Sequence, residues 1–239
     1  MKINNKPNKR VFQVFDQIKN YLRDDHSIIL RSTIFPGTME KLKNKLIKDN
    51  IKSKLSYCPE RVAQGKSLDE IENLPQIISS ENKSEIKKIK KLFNLICKKV
   101  VELSLVEAEY SKLFCNAWRY IRFAVTNEFF MLSKEKNFNY DKVYDAITLS
   151  YPRNKDLPKQ GFAAGPCLPK DALQLWQSSR NHTNLIYNSY IINESLPNFL
   201  VKNLQKEVNI NKKNIGVLGT TFKAGIDDER ASLSIKLIK

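Results

Sequence analysis

Cysteine is sparse in this chain. Cys58, Cys97, Cys115 and Cys167 stand far apart, with no CxxC or CxxH spacing. Zinc and redox-pair readings are therefore weak, and a reducing, cytoplasmic setting is the plain inference. Long apolar runs are missing too; nothing approaches the ~20 apolar residues needed to cross a bilayer. Met1-Lys-Ile-Asn-Asn-Lys6 has no apolar stretch behind it and does not read as a signal peptide. Acidic residues are in deficit, 25 against 41 Lys and Arg, for a net charge of +16. A basic chain can bind nucleic acid, an anionic membrane face or a small anionic substrate. There is, however, no aromatic-interleaved basic stripe and no helix-turn-helix spacing. A solvated lysine-rich surface is preferred to nucleic-acid recognition, and a basic rim would still attract a phosphate-bearing substrate. Repeats and low-complexity tracts are absent.

The 239 residues suffice for one large domain or parts of two or three. Ser27-Ile-Ile-Leu30 reads as a strand, Pro36-Gly37 as its turn, and Met39 to Lys48 as a helix with Thr38 as N-cap. Lys54 to Cys58 and Gln76 to Ser79 are further strands, and Ser84 to Cys97 is an amphipathic helix. Strands alternating with helices predict a parallel α/β sheet. The texture then changes. Leu105 to about Lys136 contains no Gly or Pro and keeps a helical period, predicting one long helix. The aromatics Trp118, Tyr120, Phe123, Phe129 and Phe130 on it read as core. Asp141 to Leu149 is a short helix, and Lys170 to Phe199 is mostly helical with a break near Pro197. Asn214 to Gly219 reads as a strand opening a new α/β unit.

The segment Gly161-Phe-Ala-Ala-Gly-Pro-Cys167-Leu-Pro-Lys170-Asp171 sets one cysteine among small residues that let a ligand approach the backbone. A nearby ammonium or a helix N-terminus favours a thiolate, the form a nucleophile needs. The alternative for Cys167 is a buried structural thiol.

Four segments, Ser32-Thr33-x-x-Pro36-Gly37-Thr38, Pro59-Glu60-Arg61, Glu109-x-x-Lys112-x-x-x-Asn116 and the Cys167 stretch, occur in the order found in the UDP-glucose/GDP-mannose dehydrogenase family. A fifth, Phe222-Lys223 through Asp228-x-Arg230-x-Ser232, resembles the start of that family's nucleotide-binding C-terminal domain. The wording of Cys58-Pro-Glu60-Arg61-Val-Ala-Gln64-Gly65, Leu74-Pro-Gln-Ile-Ile78 and the Cys167 stretch resembles the branch acting on UDP-N-acetylhexosamines. The resemblance implies a partial Rossmann-like sheet, a central helical dimerisation domain and the start of a second α/β domain, over 1–103, 104–203 and 204–239. It implies oxidation of the sugar C6 alcohol to a carboxylate with NAD, for surface polysaccharide precursors. Cys167 would hold the aldehyde as a thiohemiacetal and then a thioester. Lys112 would steady the oxyanion with Asp171 as its partner, Glu60 would act as general base, and Asn116 would face the same cleft. Thr33 would touch nicotinamide or sugar, and Lys170 the cofactor. Arg153, Gly161, Phe162, Lys223 and Arg230 would bind substrate. The partners implied are a UDP-sugar and a second copy of the chain, with no nucleic acid and no membrane.

Each residue has a plainer alternative. Lys112 pairs with Glu109 on the helix surface; Asn116 is a packed polar residue. Glu60 starts a helix, Asp171 charges a first turn, and Thr33 is a strand residue. Arg153, Lys223 and Arg230 are solvated charges. Gln64 stands where a second glutamate is common in the UDP-glucose branch, so Glu60 alone would serve as base. The family normally opens with a GxGxxG turn that binds the NAD pyrophosphate. No such turn precedes Ser27, and Met1 to Asp25 resembles the segment before a later strand. The expectation is a fragment of a longer reading frame, with weak NAD binding by itself. Two rival readings are a catalytically inactive dimerisation module and a basic nucleic-acid-binding protein.

Overall fold

The computed structural model describes residues 8–210 and 213–239. Residues 1–7 of the segment expected to precede the first strand lie outside it. The chain forms two compact units, 1–114 and 115–239.

The first unit begins with α1 (Lys9–Ile18) and a 3-10 turn, Lys19–Tyr21. It continues through β1 (Ser27–Leu30), α2 (Thr38–Lys48), β2 (Lys54–Tyr57), α3 (Ser67–Asn73), β3 (Gln76–Ser80), α4 (Lys83–Phe93) and β4 (Val100–Glu102). The sheet order is β1-β2-β3-β4. It is mostly parallel, as the alternation predicts: β1 runs parallel to β2 and β3 to β4, while β2 and β3 are antiparallel. The reversal has a local cause. A parallel crossover needs a helix packed over the sheet, but Leu68 of α3 is 87% exposed and α3 spans only seven residues.

Strand alternation sends neighbouring residues to opposite faces. Tyr57 and Ile77 pack with Phe15 of α1 and Met39, Leu42 and Leu46 of α2. Cys58 and Ile78 pack instead with Ile86, Ile89 and Phe93 of α4. Burying each such large side chain contributes about 1.5–3 kcal/mol. Thr38 is not the N-cap of α2. Gly37 is, at φ 82, and Thr38 is the first helical residue. The helix N-terminus is satisfied from a distance instead: Gly37 and Met39 donate their N–H groups to Glu109, at 2.7 and 2.8 Å.

The long helix α5 (Leu105–Glu135, 31 residues) forms as its period predicts and runs from the first unit into the second. α6 (Tyr140–Thr148), α7 (Leu168–Ser178), α8 (Asn184–Glu207) and α9 (Leu233–Ile238) follow. The helix break falls at residues 179–183, not at Pro197, which is buried inside α8. Thr183 Oγ1 donates to the carbonyls of Trp176 and Ser179, and Trp176 stacks on Tyr187 at 4.5 Å, so side chains fix the corner. Asn214 to Gly219 is not a strand; Ile215 and Leu218 are 52% and 100% exposed. All four described strands lie in the first unit, so this apolar segment has no sheet to join. Trp118 and Phe129 are exposed rather than core, while Tyr120 is fully buried.

Candidate active site

In the second unit the candidate residues gather around the N-terminus of α7. Residues 161–167 have no regular secondary structure, and Cys167 is the N-cap of α7. Its thiol is free and exposed, which removes the buried-thiol reading. One turn on, Asp171 is fully buried rather than a charge on an open first turn. Asn116 of α5 donates to Asp171 Oδ2 at 2.6 Å. Asp171 Oδ1 accepts no hydrogen bond and lies 3.3 Å from the Lys170 ammonium.

A C-terminal strap, residues 220–232, lies against the cysteine loop. Gly165 donates its N–H to the Ala231 carbonyl at 3.2 Å. At φ +92, a Cβ on Gly165 would stand 2.6 Å from the Phe222 ring. Arg230 grips the Asp228 carboxylate through Nε and Nη2, at 3.0 and 2.7 Å. That pairing holds the guanidinium above its ordinary value, and Cys167 adds a smaller pull in the same sense. Arg230 thus has its fork already on a carboxylate. Lys223 is exposed. Arg153, in the 3-10 turn Pro152–Asn154, is exposed and donates to the Tyr151 hydroxyl at 2.8 Å. Gly161 and the half-buried Phe162 open the cysteine loop.

The first unit carries a separate group at the carboxyl ends of β1 and β2. Thr33 is half-buried just beyond β1, not within it. Glu60 donates its N–H to the Arg31 carbonyl at 3.1 Å, joining the two loops. No helix starts at Glu60. Its carboxylate accepts from the Arg61 and Val62 amides at 2.8 and 3.0 Å and pairs with Arg31. Burial by itself would raise the carboxyl; the Val62 amide, the Arg31 guanidinium and the Arg61 amide outweigh it and hold it below its ordinary value. Arg31 also lies 5.0 Å over the Phe93 ring. Lys112, half-buried on α5, is one turn before Asn116. Glu109, three residues before Lys112, is buried and accepts the N–H groups that open α2.

Arg31, Asp228 and Asn127 were not singled out from the sequence. Arg31 stands beside the quoted Ser32-Thr33 motif, and Asp228 lies in the motif holding Arg230. Nothing local marks Asn127.

The first unit is of the Rossmann-like α/β class and the second is helical. The family model for the UDP-glucose/GDP-mannose dehydrogenase NAD-binding domain matches residues 3–97, and the model for the central domain matches 106–195. The chain belongs to the UDP-glucose/GDP-mannose dehydrogenase family. It is 30% identical over 229 residues to a UDP-N-acetyl-D-mannosamine dehydrogenase of Methanocaldococcus jannaschii, across 95% of this chain and 52% of that protein. A UDP-glucose 6-dehydrogenase of Rickettsia felis is 27% identical, across 97% and 54%. The solved structure of a UDP-D-ManNAc dehydrogenase from Pyrococcus horikoshii superposes with TM-score 0.87 at 26% identity, across 97% and 58%. The chain spans about half the length of the curated relatives it matches.

NAD is the cofactor of this family's N-terminal domain. The residues present fit only part of it. The loops after β1 and β2 lie where open α/β sheets bind ligands. The amides opening α2 are already taken by Glu109, and the sequence contains no GxGxxG cradle. Among the described residues no cluster of three metal ligands occurs, and no helix is long and apolar enough to cross a membrane.

Proposed function

We propose that this chain carries the chemistry of an NAD-dependent UDP-N-acetylhexosamine 6-dehydrogenase serving surface polysaccharide precursors. The observation that carries the reading is an exposed Cys167 at the N-cap of α7, one turn before a fully buried Asp171 held by Asn116. Helix N-terminal amides favour negative charge, so this position suits an attacking thiolate and the oxyanion that follows.

NAD, when bound, supplies hydride acceptance. The chain's own residues hold the carbon. The Cys167 sulfur adds to the C6 aldehyde, and the carbonyl electron pair becomes the oxyanion of a thiohemiacetal. Lys112, one turn before Asn116 on α5, is proposed to steady that oxyanion. After oxidation to the thioester, water attacks the acyl carbon, the C–S bond breaks and the thiolate returns. Glu60, held ionised by its amide and Arg31 contacts, is proposed to orient that water and take its proton. Arg230 would exchange Asp228 for a phosphate, for which its fork is equally suited. Lys223 and Arg153 would add charge for the diphosphate, Gly161 and Phe162 would flank the sugar, and Thr33 and Lys170 would contact the cofactor. The proposed location is cytoplasmic. A homodimer through α5 is proposed from its exposed apolar residues: Phe114 and Trp118, about one helical turn apart, are 57% and 55% exposed.

The aldehyde intermediate gives a test independent of NAD. UDP-N-acetylmannosamine 6-aldehyde should slow alkylation of Cys167 by roughly tenfold and leave the exposed Cys115 unaffected. Equal rates at both thiols with and without the aldehyde count against the reading.

A further inference from the structure

We infer that Asn127 is a positioning residue for the Cys167 loop, acting as a two-way clamp on the backbone of Gly161. The inference rests on the proposed role of Cys167. Asn127 lies on α5 and is fully buried. Its Oδ1 accepts the Gly161 N–H at 2.9 Å, and its Nδ2 donates to the Gly161 carbonyl at 3.0 Å. One side chain thus satisfies both main-chain groups of a single residue, as a neighbouring strand would. Only a carboxamide presents an acceptor and a donor side by side; Asp accepts only, and Leu does neither.

The clamp is itself braced. Asn127 Nδ2 also donates to Asn193 Oδ1 of α8 at 2.9 Å, and Asn193 Nδ2 donates to the Tyr120 carbonyl of α5 at 3.0 Å. Asn193 is fully buried, and Tyr120 packs against Ala163 of the loop and Ala172 of α7. Every carboxamide oxygen in this chain of contacts is therefore partnered, the condition under which a buried polar network specifies one geometry.

The loop needs such a device. Its residues have no helix or strand to hold them, and each residue fixed in one conformation loses backbone entropy. Gly161 is pinned by Asn127, Gly165 by the Ala231 carbonyl, and residue 168 starts α7. Cys167 is set between these anchors, and its own carbonyl accepts the Asp171 N–H at 2.9 Å.

Native-state hydrogen exchange and site-resolved alkylation test the proposal on the full chain. In the wild type, the Gly161 amide should exchange as slowly as amides in the middle of α5; fast exchange overturns the clamp. In Asn127→Leu, amides 161–165 should exchange roughly tenfold faster or more, since loop opening no longer breaks those bonds. The ratio of Cys167 to Cys115 alkylation should shift by a comparable factor. Asn193→Leu, which removes the brace and leaves both Gly161 bonds available, should shift both readouts by less. Cys58 and Cys97 stay unlabelled in a folded chain and report misfolding; a variant that fails this check leaves the decision to the wild-type Gly161 amide. Unchanged exchange and an unchanged thiol ratio in folded Asn127→Leu overturn the proposal. Failure of the 6-aldehyde to protect Cys167 would instead sink the nucleophile reading, with the clamp judged separately.

Discussion

Glu60 and Glu109 both accept main-chain N–H groups, yet their surroundings drive them in opposite directions. Burial pushes the Glu109 carboxyl above its ordinary 4.5, against the amides of Met39, Gly37 and Thr38. Glu60 is held below 4.5 despite its burial, by the Val62 amide and Arg31. The signs follow by linkage. A lowered carboxyl stabilises the fold above 4.5 and loses that contribution as pH falls through its folded value. A raised one contributes below 4.5 and loses its contribution as pH rises through its folded value. Denaturant unfolding of Glu60→Gln should therefore show a flatter loss of stability below 4.5. Glu109→Gln should remove a decline just above 4.5, at a cost of about 1 kcal/mol from the weakened helix cap. Identical pH profiles for both variants and wild type would contradict these assignments. The motif residues were legible because their types are scarce and chemically pointed: a lone Cys among small residues, an Asp four positions on. Glu109 was visible as a letter of a motif, but its partners lie 70 and 72 residues away in sequence, beyond any local pattern.

The elements show how far periodicity reaches. α5 was readable because an uninterrupted helical period over 31 residues has no competing interpretation. Asn214 to Gly219 misled because an apolar β-type run is only a candidate strand until another strand pairs with it. The break between α7 and α8 was misplaced because proline is a strong local breaker, whereas the real corner depends on Thr183 reaching two carbonyls of the preceding segment. The strap on the cysteine loop offers an element-level test. Gly165→Ala forces a positive φ on alanine and a clash with Phe222, and should cost the second unit about 1–3 kcal/mol in thermal unfolding. Phe222→Ala should relieve part of that cost, so the double variant is less than additive. Full additivity would mean the ring does not rest on Gly165.

The net charge of +16 and the two compact units bear on association. Since the described residues hold no free pyrophosphate cradle, isothermal titration of the chain with NAD should show no micromolar binding. With a separate polypeptide carrying a glycine-rich βα half, UDP-sugar-dependent NADH formation is expected, and Cys167→Ser should stop uronate formation, which needs the thioester. Micromolar NAD binding by the chain alone would refute the expectation. Trp118→Glu should shift sedimentation towards monomer if the exposed stripe on α5 is the dimer face; an unchanged profile argues for another interface. Family membership was within reach of the sequence, because five short motifs in a fixed order are specific even when each is weak.

Residue order and type were enough to settle the alternation of strands and helices and the long helix, since each depends on neighbours within a few positions. Folding alone decided that Cys167 is open to solvent while Asp171 is sealed, that Glu109 caps a helix far upstream, and that two asparagines brace the cysteine loop. Those outcomes depend on contacts between groups tens of residues apart, where burial and hydrogen-bond geometry, rather than spacing along the chain, set which partner each polar atom finds.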